Sequence, residues 1–258
     1  MTAIGVFDSG VGGLSVLKHI RAALPRHDLL YVADSGHVPY GNKTQDYIRE
    51  RSLALTQFLI GEGAATVVIA CNTATAAAAA TLRDRFTLPI VAMEPAVKPA
   101  VAATRSGVVG VLATVGTLES ARFAALLEQY AGDVEIVMQA CPGLVEQVEA
   151  GELEGPAIRA LVERYARPLI ESGADTLVLG CTHFPFLKPV IADVVGADVR
   201  LIDTGEAVAR QVARKLPAAV SRAQAGAPTE RFWSTGDLRD ARRIVSKLWG
   251  RAVSVDAL

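Results

Sequence analysis

Two short stretches join an apolar run to residues rich in hydrogen-bonding groups, and each has a cysteine at the join. VVIACNTATAAAAA covers 67–80 with Cys71, and TLVLGCTHFPFL covers 176–187 with Cys181. Each apolar run reads as a strand, and in open α/β sheets ligands bind beyond the carboxyl ends of strands. A helix beginning just after Cys71 leaves its first backbone N–H groups unpaired, with Asn72 and Thr73 placed to cap it. Such donors suit a carboxylate, and the helix dipole lowers a thiol pKa from its free value of about 8.5. The second address is less regular because Pro185 restricts the turn, yet it sets the hydroxyl of Thr182 and the imidazole of His183 beside the sulfur.

A single cysteine at a strand end is most simply a small packed hydrophobe. Two at matching places argue for chemistry on a ligand held between them. Cys181 and His183 are also soft-metal ligands, but Cys-x-His is not a zinc spacing, and three cysteines and four histidines are few to complete a site. The third cysteine, Cys141 in QACPGL, reads as packing.

The 258 residues suffice for one large domain or two modest ones, and 51% of them are apolar, so a sizeable core is available. The net charge of −1 comes from 26 basic and 27 acidic residues that are well interspersed. That lacks the basic stripe of a nucleic-acid binder, and a small molecule is the expected partner. An odd number of cysteines without a C-x-x-C pair points to reduced thiols in the cytoplasm. The opening MTAIGVFDSG has no basic region and reaches Asp8 early, so no signal peptide is expected. The uncharged run 63–82 is too rich in alanine and threonine for a membrane span and reads as strand then helix.

Short β-branched runs alternate with longer amphipathic stretches. Strands are expected at 3–8, 29–34, 66–71, 90–93, 108–113, 134–139, 176–181 and 199–203, with another in the closing RFWSTGD, 231–237. Helices are expected at 14–24, 44–63 and 157–173, the last bent or interrupted at Pro168. Continuous apolar strands rather than alternating ones indicate parallel sheets covered on both faces, an α/β layering. AIGVFDSGVGGL (3–14) and VVGVLATVGTL (108–118) resemble each other, and a cysteine motif follows each at a similar separation. This internal repeat predicts two pseudo-symmetric α/β domains, each a mostly parallel sheet flanked by helices, with the site in the cleft between them. The expected division is 1–95 plus 208–258 for the first and 96–207 for the second, with MEPAVKPA (93–100) as a crossing.

GVGGLS (10–15) follows a strand and nearly spells a dinucleotide-binding turn, with Asp34 about where a ribose-binding acid belongs. Ser15 at the third glycine position and the carboxylate of Asp8 count against pyrophosphate there. No phosphate-loop motif is present either.

Seven segments in order, FDSGVGGLSVL, VPYGNKT, ACNTAT, GVLATVGTLES, CPGLVEQVEAG, LGCTHFP and LIDTGEAVAR, resemble the aspartate/glutamate racemase family across nearly the whole chain. His183 after Cys181-Thr182 favours the glutamate branch, since aspartate racemases typically carry Thr-Glu there. The resemblance implies cofactor-independent interconversion of L- and D-glutamate by proton transfer at Cα, supplying D-glutamate for peptidoglycan in the bacterial cytoplasm, with a homodimer common. It implies Cys71 on the D-glutamate face assisted by Asp8, and Cys181 on the L-glutamate face assisted by His183, with Glu149 near the site. Ser9, Tyr40, Gly41, Asn72, Thr73, Thr114, Thr117 and Thr182, together with Asp8 and His183, match the family's substrate-binding positions. Glu146 departs from it, where proline is usual. Asp34 and Ser35 are expected to support the pocket. The open alternatives are a racemase of aspartate or a hydantoin, and a non-catalytic binding protein that has kept the shell.

Overall fold

The computed structural model describes residues 3–217 and 227–258. Residues 1–2, the start of the stretch in which no signal peptide is expected, lie outside it, as do 218–226 within the returning part of the first expected domain.

The first sheet holds β1 (Ala3–Asp8), β2 (Leu29–Ala33), β3 (Ala64–Ile69) and β4 (Ile90–Val91), and the second holds β5 (Val108–Ala113), β6 (Glu135–Ala140), β7 (Thr176–Leu179) and β8 (Arg200–Ile202). The first is ordered β2-β1-β3-β4 and the second β6-β5-β7-β8, so each set of four strands repeats one order. Every strand pair among the described residues is parallel. Two further strands, β9 (Glu230–Ser234) and β10 (Asp256–Ala257), extend the first sheet beyond β2. The C-terminal segment therefore returns to the first sheet, and the very end of the chain is an edge strand that its sequence did not suggest.

All six residues of β1 are buried, as expected of a central strand covered on both faces. One apolar cluster runs from Ile4, Leu17 and Tyr31 beside the first sheet to Leu112, Leu177 and Ile191 beside the second. The halves therefore share buried apolar surface as well as facing each other across the site.

Helix α1 (Leu14–Ala23) follows β1, and α2 (Gln45–Gly61) is capped by Thr44, whose hydroxyl accepts from the Tyr47 N–H at 3.3 Å. Helix α3 (Asn72–Arg85) follows β3, and the region 63–82 is thus strand and helix; among the described residues no helix is long and apolar enough to cross a membrane. Between the halves lies α4 (Val97–Ala103); α5 (Val115–Leu118) and α6 (Ala121–Tyr130) follow β5, and α7 (Leu144–Ala150) follows β6. Helix α8 (Pro156–Glu171) continues through Pro168, where a bend or an interruption is expected, so the helix is not interrupted there. Pro168 and Arg164, whose carbonyl loses its helical donor, are both exposed, while Tyr165, Ala166 and Leu169 pack inward on either side. Beyond β7 come a single 3₁₀ turn, Phe184–Leu187, then α9 (Lys188–Val195), and beyond β8 comes α10 (Gly205–Lys215).

Candidate active site

The site lies where the central strands of both sheets end. Asp8 closes β1, Cys71 follows β3, Thr114 follows β5 and Cys181 follows β7. Each cysteine thus stands beyond the third strand of its half, next to the first strand of that half. A cavity of about 10 Å³, the room of one water molecule, is lined by both thiols with Ser9, Tyr40, Gly41, Asn72, Thr73, Thr114, Thr117, Thr182 and His183. Pro39, Val145 and Gly180 complete its wall. Asp8 and Glu149 stand behind this lining, bonded to it.

Cys71 is itself the N-cap of α3, its Sγ accepting from the Ala74 N–H at 3.4 Å. The thiol also donates to Ser9 Oγ at 3.7 Å. This corrects the expectation that Asn72 and Thr73 cap the helix, because both side chains reach across to the second half instead. Asn72 Nδ2 donates to the Gly180 carbonyl at 2.9 Å. Thr73 Oγ1 lies 2.9 Å from Thr114 Oγ1 and 3.1 Å from Thr117 Oγ1, and the last two are 3.0 Å apart. Three hydroxyls so arranged form a triangle whose protons can turn toward an acceptor. The expected dipole-lowered thiol is corrected too: burial first, then the neighbouring Asp8 carboxylate, push Cys71 well above the usual thiol range, outweighing the Ala74 N–H.

Cys181 has a different neighbourhood. Its Sγ lies 3.6 Å from His183 Nδ1, and His183 Nε2 lies 2.6 Å from Glu149 Oε1. Glu149 also accepts from the Val11 N–H at 2.7 Å and the Ser35 hydroxyl at 3.1 Å. Burial alone would lower the His183 pKa; the bonds to Cys181 and Glu149 reverse that and hold it well above the ordinary histidine range. The imidazole is therefore poised as a cation between a carboxylate and a thiol.

Asp8 is fully buried and accepts from the Ser9 N–H at 2.7 Å, the Gly13 N–H at 2.5 Å and the Thr182 hydroxyl at 3.1 Å. Burial raises its pKa, His183 opposes that and Glu149 adds to it, with a net upward shift. The backbone donors of the glycine turn are consequently taken by the protein's own carboxylates, Gly13 by Asp8 and Val11 by Glu149, which leaves little for a pyrophosphate. The glycines have another purpose. A methyl at Gly10 would overlap the Glu149 carboxylate, and one at Gly12 would overlap the His183 ring.

Tyr40 is buried, and its hydroxyl donates to Asp34 at 2.6 Å, so this ring anchors the Tyr40–Asn42 turn rather than offering a free hydroxyl. Asp34 also receives Arg51 through both carboxylate oxygens, at 3.0 and 2.7 Å, and Thr235 Oγ1 at 2.9 Å. Arg51 and Thr235 were not foreseen; neither lies in a recognisable motif, and only the fold brings them to Asp34. Pro39 and Val145 were missed as well, since an apolar lining residue carries no chemical signal. Cys141 is buried, its thiol donating to the Gln139 carbonyl at 3.3 Å, and burial pushes its pKa up. It does not line the cavity shared by the other two.

The sequence matches the Asp/Glu/Hydantoin racemase family over residues 4–212. It is 59% identical over 257 residues to glutamate racemase of Pseudomonas aeruginosa PAO1, covering 99% of this chain and 97% of that one. The fold is similar to that of a glutamate racemase isoform from Bacillus anthracis, with a TM-score of 0.90 and 32% identity over 100% of this chain and 97% of the other. Glutamate racemase of Escherichia coli, solved with L-glutamate and the activator UDP-MurNAc-ala, gives a TM-score of 0.88 and 32% identity, with 100% and 98% covered.

Proposed function

The chain belongs to the Asp/Glu/hydantoin racemase family, among the glutamate racemases, and from that premise we propose that it interconverts L- and D-glutamate by passing the α-proton between Cys71 and Cys181. The observation that carries this reading is the placement of two thiols, at equivalent strand ends of two halves with one strand order, on the wall of one small cavity. Inverting a stereocentre requires a base on one face of Cα and an acid on the other, and thiol and thiolate exchange these roles when the direction reverses.

In this proposal the two sides have different surroundings and different roles. Cys71, whose pKa is raised, rests as the thiol and serves as the acid toward its face. Cys181 lies against His183 and serves as the base toward its face, the imidazole being held in turn by Glu149. Removing a proton from L-glutamate at Cys181 and delivering one from Cys71 gives D-glutamate; the reverse direction begins once Cys71 has become thiolate. Asp8, with its raised pKa, takes up or returns the Cys71 proton between turnovers. The threonine triangle of Thr73, Thr114 and Thr117 suits one substrate carboxylate, and Ser9, Asn72 and Thr182 supply further polar groups. A cavity of about 10 Å³ has to widen to admit an amino acid. Closure would then strip water from the carbanion-like transition state and let fixed donors stabilise it.

The division into 1–95 plus 208–258 and 96–207 belongs to the same proposal and rests on the internal repeat; supply of D-glutamate to peptidoglycan in the cytoplasm, work without cofactor and a possible homodimer also belong to it and rest on the family resemblance. Racemisation in deuterated water tests the chemistry. With two separate bases, deuterium enters the product enantiomer at Cα early in turnover while recovered substrate stays largely protiated. Product without label, or label entering substrate as fast as product, would exclude the two-thiol route.

A further inference from the structure

Two buried polar atoms near the site take no hydrogen-bond partner among the described residues, and they are of opposite kind. One is the acceptor Asn72 Oδ1, the other the donor Arg122 Nε. Both residues line a second cavity, also of about 10 Å³, which shares Asn72 and Thr117 with the substrate cavity. Its remaining wall includes Glu94 and Pro95 of the segment crossing between the halves.

A space of that size accommodates one water molecule, and a buried water is retained where it satisfies polar groups that would otherwise lack partners. Here a single water would donate to Asn72 Oδ1 and accept from Arg122 Nε–H. Another edge of Arg122 is already committed, since its Nη2 pairs with the Glu94 carboxylate. The other end of the Asn72 amide is committed as well, through Nδ2 to the Gly180 carbonyl next to Cys181. Through such a water the guanidinium would join the crossing segment on one edge to the Asn72 amide on the other.

We propose that a water held between Asn72 Oδ1 and Arg122 Nε makes Arg122 a positioning residue for Asn72. Arg122 touches no substrate. It fixes the amide plane of Asn72 and thereby the polar group that the residue after Cys71 turns toward glutamate. The consequence for catalysis rests on the glutamate-racemase reading above; the water itself does not.

Two variants and one structure test it. Arg122→Met removes the Nε donor and the ion pair together, whereas Glu94→Gln removes the ion pair and leaves Nε in place. Losing the water-mediated hold is expected to raise KM for glutamate about fivefold in Arg122→Met, the equivalent of one hydrogen bond, with kcat within about twofold of wild type. Glu94→Gln is expected to keep both constants within about twofold. Equal effects in the two variants would assign the role to the ion pair and overturn the proposal, as would an unchanged KM in Arg122→Met. A high-resolution crystal structure of the wild-type protein should show density for a water at hydrogen-bonding distance from both atoms, and its absence would also overturn the proposal. Wild-type protein that fails to racemise glutamate while showing this water would sink the functional reading and leave the water site standing.

Discussion

Glu149→Gln probes the Cys181 side most directly, because it removes one charge while preserving shape. In the native site the Glu149 carboxylate lies 2.6 Å from His183 Nε2, and its side chain is only 12% exposed. Two unit charges at that distance attract by about 6 kcal/mol at an effective dielectric constant of about 20, which is a ceiling because both groups have also left water. A more realistic measure is a hydrogen bond to a charged group, worth about 1.5–3 kcal/mol. At about 1.4 kcal/mol per decade of rate, kcat/KM should fall roughly 10- to 100-fold. Glutamine can still accept from the Val11 N–H and occupies the same space, so the glycine turn should hold its shape. The pH profile carries the sharper signature. His183 is held protonated above its ordinary range, and that contribution to stability is complete below the unfolded histidine pKa and disappears as pH rises through the raised folded value. Without the Glu149 charge the folded pKa falls, so the alkaline loss of activity should begin at lower pH in the variant. Circular dichroism of racemisation from both enantiomers across pH, beside thermal melts, measures this. A variant with wild-type kcat/KM and an unshifted alkaline limb would refute the charge relay from Glu149 through His183 to Cys181.

Other expectations follow from single contacts. Gly12→Ala places a methyl into the His183 ring and should cost about 1–3 kcal/mol of stability by overpacking, read by denaturant unfolding, along with much of the activity. Arg51→Met leaves the fully buried Asp34 carboxylate without its cation; it should destabilise by about 3 kcal/mol in thermal or denaturant melts and raise KM as the Tyr40–Asn42 turn loosens. Alkylation by iodoacetamide near neutral pH should reach Cys181 before Cys71 or Cys141, because only Cys181 has a cationic partner against its sulfur. Peptide mapping that found Cys71 modified first would contradict the proposed roles of the two thiols.

The parallel α/β architecture was readable because buried strands such as AIGVFD and VVGVLA are continuous apolar runs, and because two of them begin a repeated pattern whose strand order the structure duplicates. The two cysteines could be picked out by their position at strand ends. What the chain could not reveal locally is which group faces which. Asn72 and Thr73 have the residue types of helix caps, yet the sulfur of Cys71 takes that position once the second half offers Gly180, Thr114 and Thr117 as partners. Burial likewise reverses the expected effect of the helix dipole on Cys71, and burial is a property of the assembled halves. Glu149 reaches His183 from a helix in the second half while accepting from Val11 in the first, a meeting that spacing along the chain does not encode. The C-terminal strand Asp256–Ala257 escaped notice because a two-residue edge strand leaves almost no pattern.

The two halves share a strand order but surround their thiols unequally, with an aspartate beside one and an imidazole bonded to a glutamate beside the other. For a reaction between mirror images this inequality cannot favour either product. The enantiomers have equal free energy in water, so kcat/KM must be the same from both sides for the native enzyme and for every variant of it. Asymmetry can only be divided between KM and kcat, and between the protonation states that await each enantiomer. On the proposed roles, a protein with Cys71 as the thiol and His183 against Cys181 is ready for the substrate whose α-hydrogen faces Cys181. It must shift a proton before it can take the other. Asp8, buried and protonated more readily than an ordinary aspartate, stands beside the thiol that has to make that change. On the proposed roles, the departure from symmetry thus supplies a proton store next to the thiol that must lose its proton before the second enantiomer can react, a need that exact repetition of the Cys181 arrangement would leave unmet.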